Sequence, residues 1–157
     1  MLRMFSRALV GLAITAVAAL GADNSIGTWS LNVAKSSYTP GPLPVKSLSV
    51  VREATPDGVK ATLTGERTDG TAITGGYTAK YDGSATTVSG TGVPYDSISI
   101  KQVDASTFTS EAKKTDGKYH SHARTVISKD GKTLTTKSRG TDADGKPMMS
   151  TMVYEKQ

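Results

Sequence analysis

The chain has 157 residues, of which 36% are apolar, 6% aromatic and 21% charged, with a formal net charge of +5 and no cysteine. That length fits one ordinary domain, and the missing thiols exclude disulfide staples, thiolate zinc clusters, iron–sulfur sites and a cysteine nucleophile. With 22 Thr and 17 Ser, the composition favours sheet over a helical bundle, because β-branched side chains suit a pleated surface.

Residues 1–22 carry Arg3 and Arg7, an apolar run from Ala8 to Leu20, and a small-residue stretch ending Gly21-Ala22. This is the pattern of a secretory signal peptide. The run of 13 residues would span only about 20 Å as a helix, short of the roughly 30 Å of a bilayer core, so no integral membrane segment is expected in the mature form. Cleavage after Gly21 or Ala22 leaves a single domain, 23–157, with 17 cations against 14 carboxylates and a net charge of +3. A soluble bacterial periplasmic or secreted protein is the expectation, since a chain exported without cysteine forgoes the disulfides common in eukaryotic extracellular domains.

In the mature part, Asp-Gly recurs at Asp57-Gly58, Asp69-Gly70, Asp82-Gly83, Asp116-Gly117, Asp130-Gly131 and Asp144-Gly145. Each is a tight-turn signal. The intervals are of strand length and predict strands near 26–32, 47–54, 59–67, 71–81, 86–89, 97–103, 107–114, 118–128, 133–140 and 148–156. Ten strands joined mostly by hairpins form a meander.

Loop length fixes which residues face each other. A two-residue loop at Asp116-Gly117 sets Ala112 beside Ser121 and Glu111 beside His122. A second at Asp130-Gly131 sets Ile127 beside Leu134 and Thr125 beside Thr136, with His122 by Arg139 on the other face. At Thr68-Asp69-Gly70 a three-residue loop closed by a glycine bulge pairs Leu63 with Gly75 and Ala61 with Tyr77. A four-residue loop over 55–58 places Ala54 by Val59, Val50 by Leu63 and Leu48 by Gly65.

These registers turn Leu48, Val50, Val59, Ala61, Leu63, Ile73, Tyr77, Tyr81, Ile98, Ile100, Phe108, Tyr119, Ala123, Ile127, Leu134, Met152 and Tyr154 to one face, among many Ser, Thr, Ala and Gly neighbours. A sheet this wide curls, and closure removes its unpaired edges. The expected fold is all-β: an antiparallel up-and-down barrel of about 8–10 strands, whose lumen either packs solid or holds one small ligand.

Two motifs at the ends of the mature chain carry a resemblance. Gly27-Thr28-Trp29 resembles the opening strand of lipocalins and fatty-acid-binding proteins, and Val153-Tyr154-Glu155-Lys156 resembles the closing strand of the latter. The chain thus resembles the calycin superfamily and, through its G-T-W-x-L-N, Pro-Gly-Pro and Asp130-Gly131-Lys132-Thr133 stretches, small secreted bacterial proteins of lipocalin-like type. The resemblance implies a ligand-binding β-barrel. Where fatty-acid-binding proteins close with Arg-x-Tyr, this chain has Met152-Val153-Tyr154, so carboxylate capture at that position is not expected. Their helix pair is replaced over 32–46 by a segment containing Pro40, Pro42 and Pro44, which opposes helix and implies an extended loop.

Trp29 is expected to plug the closed end of the barrel. Tyr77, Tyr119 and Tyr154 share the inward phase and, with Met152, are the candidate ligand contacts, since rings with polar tips orient a mostly apolar molecule. His120 and His122, opposite Glu111, have the donors of a metal site. Lys113, Arg124, Lys137 and Arg139 share that face and oppose a cation by Coulomb repulsion, so no metal is expected. The inward face offers hydroxyls without a His or carboxylate base, so no catalytic residues and no enzyme activity are expected. No glycine-rich loop leads into a helix, so no nucleotide cofactor is expected either. Lys and Arg are scattered singly, which argues against nucleic acid. The expected function is a monomeric exported barrel binding a small hydrophobic or amphipathic ligand. The alternative is a filled barrel serving as an envelope-associated structural or interaction module.

Overall fold

A computed structural model describes residues 21–157. The expected signal segment lies almost entirely outside these residues. The described part holds twelve strands: β1 (Gly27–Leu31), β2 (Ser37–Thr39), β3 (Val45–Thr55), β4 (Gly58–Arg67), β5 (Ala72–Lys80), β6 (Asp82–Thr87), β7 (Ser89–Thr91), β8 (Ser97–Asp104), β9 (Thr107–Lys113), β10 (His120–Ile127), β11 (Thr133–Thr141) and β12 (Pro147–Lys156). One turn of 3-10 helix, Val33–Lys35, follows β1. Among the described residues no helix is long and apolar enough to cross a membrane.

All pairings are antiparallel, in the order β6-β8-β9-β10-β11-β12-β1-β3-β4-β5-β7, with β2 added to β12 beyond the end of β1. The two ends of this order are one continuous stretch of chain. Residues 82–87 pair with β8, the chain passes through Val88, and 89–91 pair with β5. A single broken strand therefore bridges the two sheet edges, and the result is a nearly closed barrel. This seam is built from glycine. Gly75 faces Gly90 across it, and a Cβ on Gly90 would lie 1.9 Å from the Thr74 carbonyl oxygen. Only a residue without a side chain lets the two backbones approach so closely.

The registers expected from the turns are those observed. Glu111 faces His122, Ile127 faces Leu134, Leu63 faces both Val50 and Gly75, and Ala61 faces Tyr77. Several loops differ in form. The turns at 116–117 and 130–131 span four residues rather than two, because Lys114 and Ser128 end their strands with bonds to Tyr119 and Thr133. Thr55 and Gly58 are paired, so the loop between β3 and β4 has two residues rather than four. Each change adds or removes residues in pairs, so the side-chain phase is preserved. Asp82-Gly83 is a reversal, with Gly83 at a positive φ of 83° and the β5–β7 register centred on it, but it also starts β6, whose pairing to β8 carries a bulge between Asp82 and Ala85. Five turn or bulge aspartates, Asp69, Asp82, Asp104, Asp130 and Asp142, each accept the backbone N–H two residues onward at 2.8–3.0 Å, the local bond that lets Asp specify a turn.

β2 and the 3-10 turn were not expected. Ser36 positions them, donating its hydroxyl to the Asn32 carbonyl at 2.7 Å and accepting the Val153 N–H at 2.9 Å. The apolar core fills one end of the barrel, where Trp29, Val59, Ala79, Tyr81, Ile98, Phe108, Ile127 and Leu134 are buried together.

Candidate functional site

Above this packed floor the barrel is hollow. A cavity of about 470 Å³ runs from Trp29, Arg52 and Phe108 to a mouth formed by Tyr38, Leu43, Pro44, Val93, Pro94 and the β11–β12 turn at 142–144. Its two sides differ chemically. Leu48, Val50, Leu63, Ile73, Ile98 and Ile100 make one wall apolar; Ser110, Ser121, Thr125, Thr136, Ser138 and Ser150, from β9 to β12, make the other a field of hydroxyls. Neighbouring hydroxyls pair across the ladder, Thr125 with Thr136 at 2.8 Å and Ser138 with Ser150 at 2.6 Å. Each hydroxyl offers one donor and two acceptor positions, so these pairs leave acceptor capacity facing the lumen.

The four residues singled out from sequence, Tyr77, Tyr119, Met152 and Tyr154, all line this cavity. Tyr119 donates to Ser121 Oγ at 3.3 Å and stacks on Tyr95 with ring centres 5.9 Å apart. Burial raises the Tyr154 and Tyr95 phenols above their ordinary value, and burial likewise raises Tyr119. These phenols therefore stay protonated near neutral pH and can donate to a ligand.

Trp29 is fully buried at the floor, and its indole N–H donates to the Ser25 carbonyl at 2.8 Å. Here the two end motifs meet. Trp29 is the ladder partner of Lys156, whose ammonium lies 5.5 Å from the indole centre, and Gly27 leaves room for the lysine chain. Residues 22–26 strap across the same end, with Asn24 N–H bonded to the Ala105 carbonyl and Gln102 Nε2 to that of Ala22. Tyr81 donates to Asp23, and Arg52 donates to both Ser25 and Tyr81.

Sequence reasoning missed Arg52, Tyr38 and Tyr95 as lining residues. Arg52 was detectable, because it continues the alternation of Leu48 and Val50 on one strand. Tyr95 sits in the Gly92-Val93-Pro94 loop, where no period marks an inward side.

On the outer face, Glu111, His120 and His122 do come together. His120 Nε2 lies 2.8 Å and His122 Nδ1 3.9 Å from the Glu111 carboxylate, and the bond from His120 holds that carboxyl below its ordinary value. The imidazoles meet edge to face at 4.6 Å.

No known protein family matches the sequence, and no curated protein matches it either. Among solved structures the chain is similar to EF1p2_mFAP2b bound to DFHBI, at 11% identity over 85% of this chain and 94% of that one, with a TM-score of 0.49. It is also similar to a de novo designed fluorescence-activating β-barrel, at 14% identity over 84% and 93% of the two chains, with a TM-score of 0.42. The barrel assignment stands on this chain's own ladder. Every pairing is antiparallel, and β1 lies beside β12 to join the first and last strands of the described chain.

Proposed function

We propose that this chain is an exported, monomeric member of the calycin superfamily that holds one small hydrophobic or amphipathic molecule noncovalently in its lumen, in a bacterial periplasm or outside the cell, with no catalytic step. The observation that carries the reading is the hollow of about 470 Å³ with one apolar and one hydroxyl wall, a volume within the range of small-molecule pockets. Burying about 200 Å² of apolar ligand surface at about 25 cal/mol/Å² supplies about 5 kcal/mol. The hydroxyl wall and the protonated phenols then orient whatever polar edge the ligand carries. Export is supported by the charged, apolar and small-residue succession of residues 1–22. Tyr77, Tyr119, Met152 and Tyr154 are the contacts, with Trp29 as the plug.

The hollow supports this reading over the alternative of a filled barrel acting as an envelope-associated module. The test is native mass spectrometry and organic extraction of the purified protein, with displacement of a fluorescent lipid. A copurifying small molecule or saturable displacement is expected. An empty extract with no displacement across several ligand classes overturns the reading.

A further inference from the structure

We propose that Glu111, His120 and His122 form a binding site for a divalent transition metal on the outer face of β9 and β10, separate from the lumen. Their ligand atoms all lie within 4.8 Å of one another. In a tetrahedral site with bonds of 2.0–2.1 Å, donor atoms sit about 3.4 Å apart. His120 Nε2 lies 2.8 Å from one oxygen of the Glu111 carboxylate and His122 Nδ1 3.9 Å from the other, so side-chain rotations that move donors by about an ångström bring all three residues onto one ion. The backbone needs no movement, because the antiparallel ladder already fixes Glu111 opposite His122 with His120 two residues along.

The donor set selects the metal class. Two imidazoles and one carboxylate suit Zn(II) and its first-row neighbours, whereas Ca(II) and Mg(II) prefer all-oxygen sites. Three protein donors leave a coordination position to solvent, so the ion is exchangeable rather than a structural staple.

The charges around the site set its strength. Lys113 on β9 faces His120, Arg139 on β11 faces His122, and Arg124 and Lys137 lie one step further along the same face. All four are exposed, so they can swing their charge into water, where screening is strong. Among the described residues Glu111 forms its ion pairs with the two imidazoles and with none of these cations. The cations therefore weaken the site without occupying its carboxylate, and the proposal departs here from the expectation drawn from charge alone.

The experiment is calorimetric titration of the full chain with ZnCl2 at pH 7.5 in a non-coordinating buffer. One saturable site per chain is expected, weakened at least tenfold by His120→Ala, His122→Ala or Glu111→Gln, each confirmed folded by circular dichroism. Arg139→Gln should tighten it severalfold. Absence of a saturable heat, or binding that survives the His120→Ala/His122→Ala double variant unchanged, overturns the proposal.

Discussion

Arg52 donates from Nε to the Ser25 hydroxyl at 3.0 Å, and this bond ties an inward arginine of β3 to the strap that seals the barrel floor. Ser25 is fully buried. Its hydroxyl also donates to Asp23 Oδ1 at 2.6 Å, so cation, hydroxyl and carboxylate form one chain, joined by Tyr81. The guanidinium packs 5.8 Å from the Phe108 ring centre. A half-buried charge held this way is costly to break from one side, because the buried Ser25 and Tyr81 lose a partner. Arg52→Ala should therefore lower unfolding free energy by about 2–4 kcal/mol, and Ser25→Ala by about 1–2 kcal/mol. Urea denaturation measures both, and a loss under about 1 kcal/mol for Arg52→Ala would mean that the network adds nothing.

The same cluster predicts the alkaline limit of the fold. Burial, the largest cause, pushes the Tyr81 phenol up to about 12 despite the nearby Arg52, with the bond to Asp23 adding to the rise. In the unfolded chain tyrosine ionises near 10. A raised folded pKa means that the native state holds its proton more tightly, so the contribution is complete below about pH 10 and is lost as pH climbs from about 10 to about 12. Tyr95, Tyr119 and Tyr154 act in the same direction. Absorbance at 295 nm should show most tyrosinate appearing together with loss of β-sheet circular dichroism. Normal titration near pH 10 in a folded protein would contradict it.

The glycine seam predicts a localised sensitivity. Gly90 has φ of 120°, and any Cβ there meets the Thr74 carbonyl, so Gly90→Ala combines backbone strain with a clash and should cost at least about 2 kcal/mol. Gly41, also at positive φ but with no neighbouring atom near its Cβ position, isolates the strain alone, and Gly41→Ala should cost clearly less. Thermal melts of the two variants compare them directly. Equal losses would show that close approach across the seam is not what closes the barrel.

The meander was legible in the sequence because Asp-Gly turns and side-chain alternation report the same phase, and an error of two residues in a loop leaves that phase intact. Val50, Leu63 and Ile73 are therefore placed inside once each loop is read as odd or even in length, whatever its exact extent. Closure was harder to see. Residues 82–91 carry Gly83, Gly90 and a run of small polar side chains, so neither the bulge nor the exchange of partners at Val88 has a hydrophobic signature. β2 was hidden because three residues between prolines and serines show no period, and its place is fixed by a hydroxyl of Ser36 reaching β12. Of the candidate site, Tyr77, Tyr119 and Tyr154 followed from alternation, whereas Tyr38 and Tyr95 lie on segments without a period. Arg52 shares the alternation of Leu48 and Val50, but its partners Ser25 and Tyr81 lie outside β3 and leave no signal on that strand.

Filling the lumen separates binding from folding. Ala123 lies on the hydroxyl wall between Ser110 and Ser138 in the ladder and faces open volume, so Ala123→Phe can place its ring in the hollow without displacing packed neighbours. Thermal stability should hold or rise, because the added apolar surface is buried in existing space. Affinity for a fluorescent lipid should fall at least tenfold, since the ring and the ligand compete for one volume. Tyr154→Phe is the complementary variant. It keeps the ring and deletes one donor, so amphipathic ligands should lose about 1 kcal/mol, roughly fivefold, while purely apolar ligands bind as before. Undiminished binding to a folded Ala123→Phe protein would place the ligand outside the barrel.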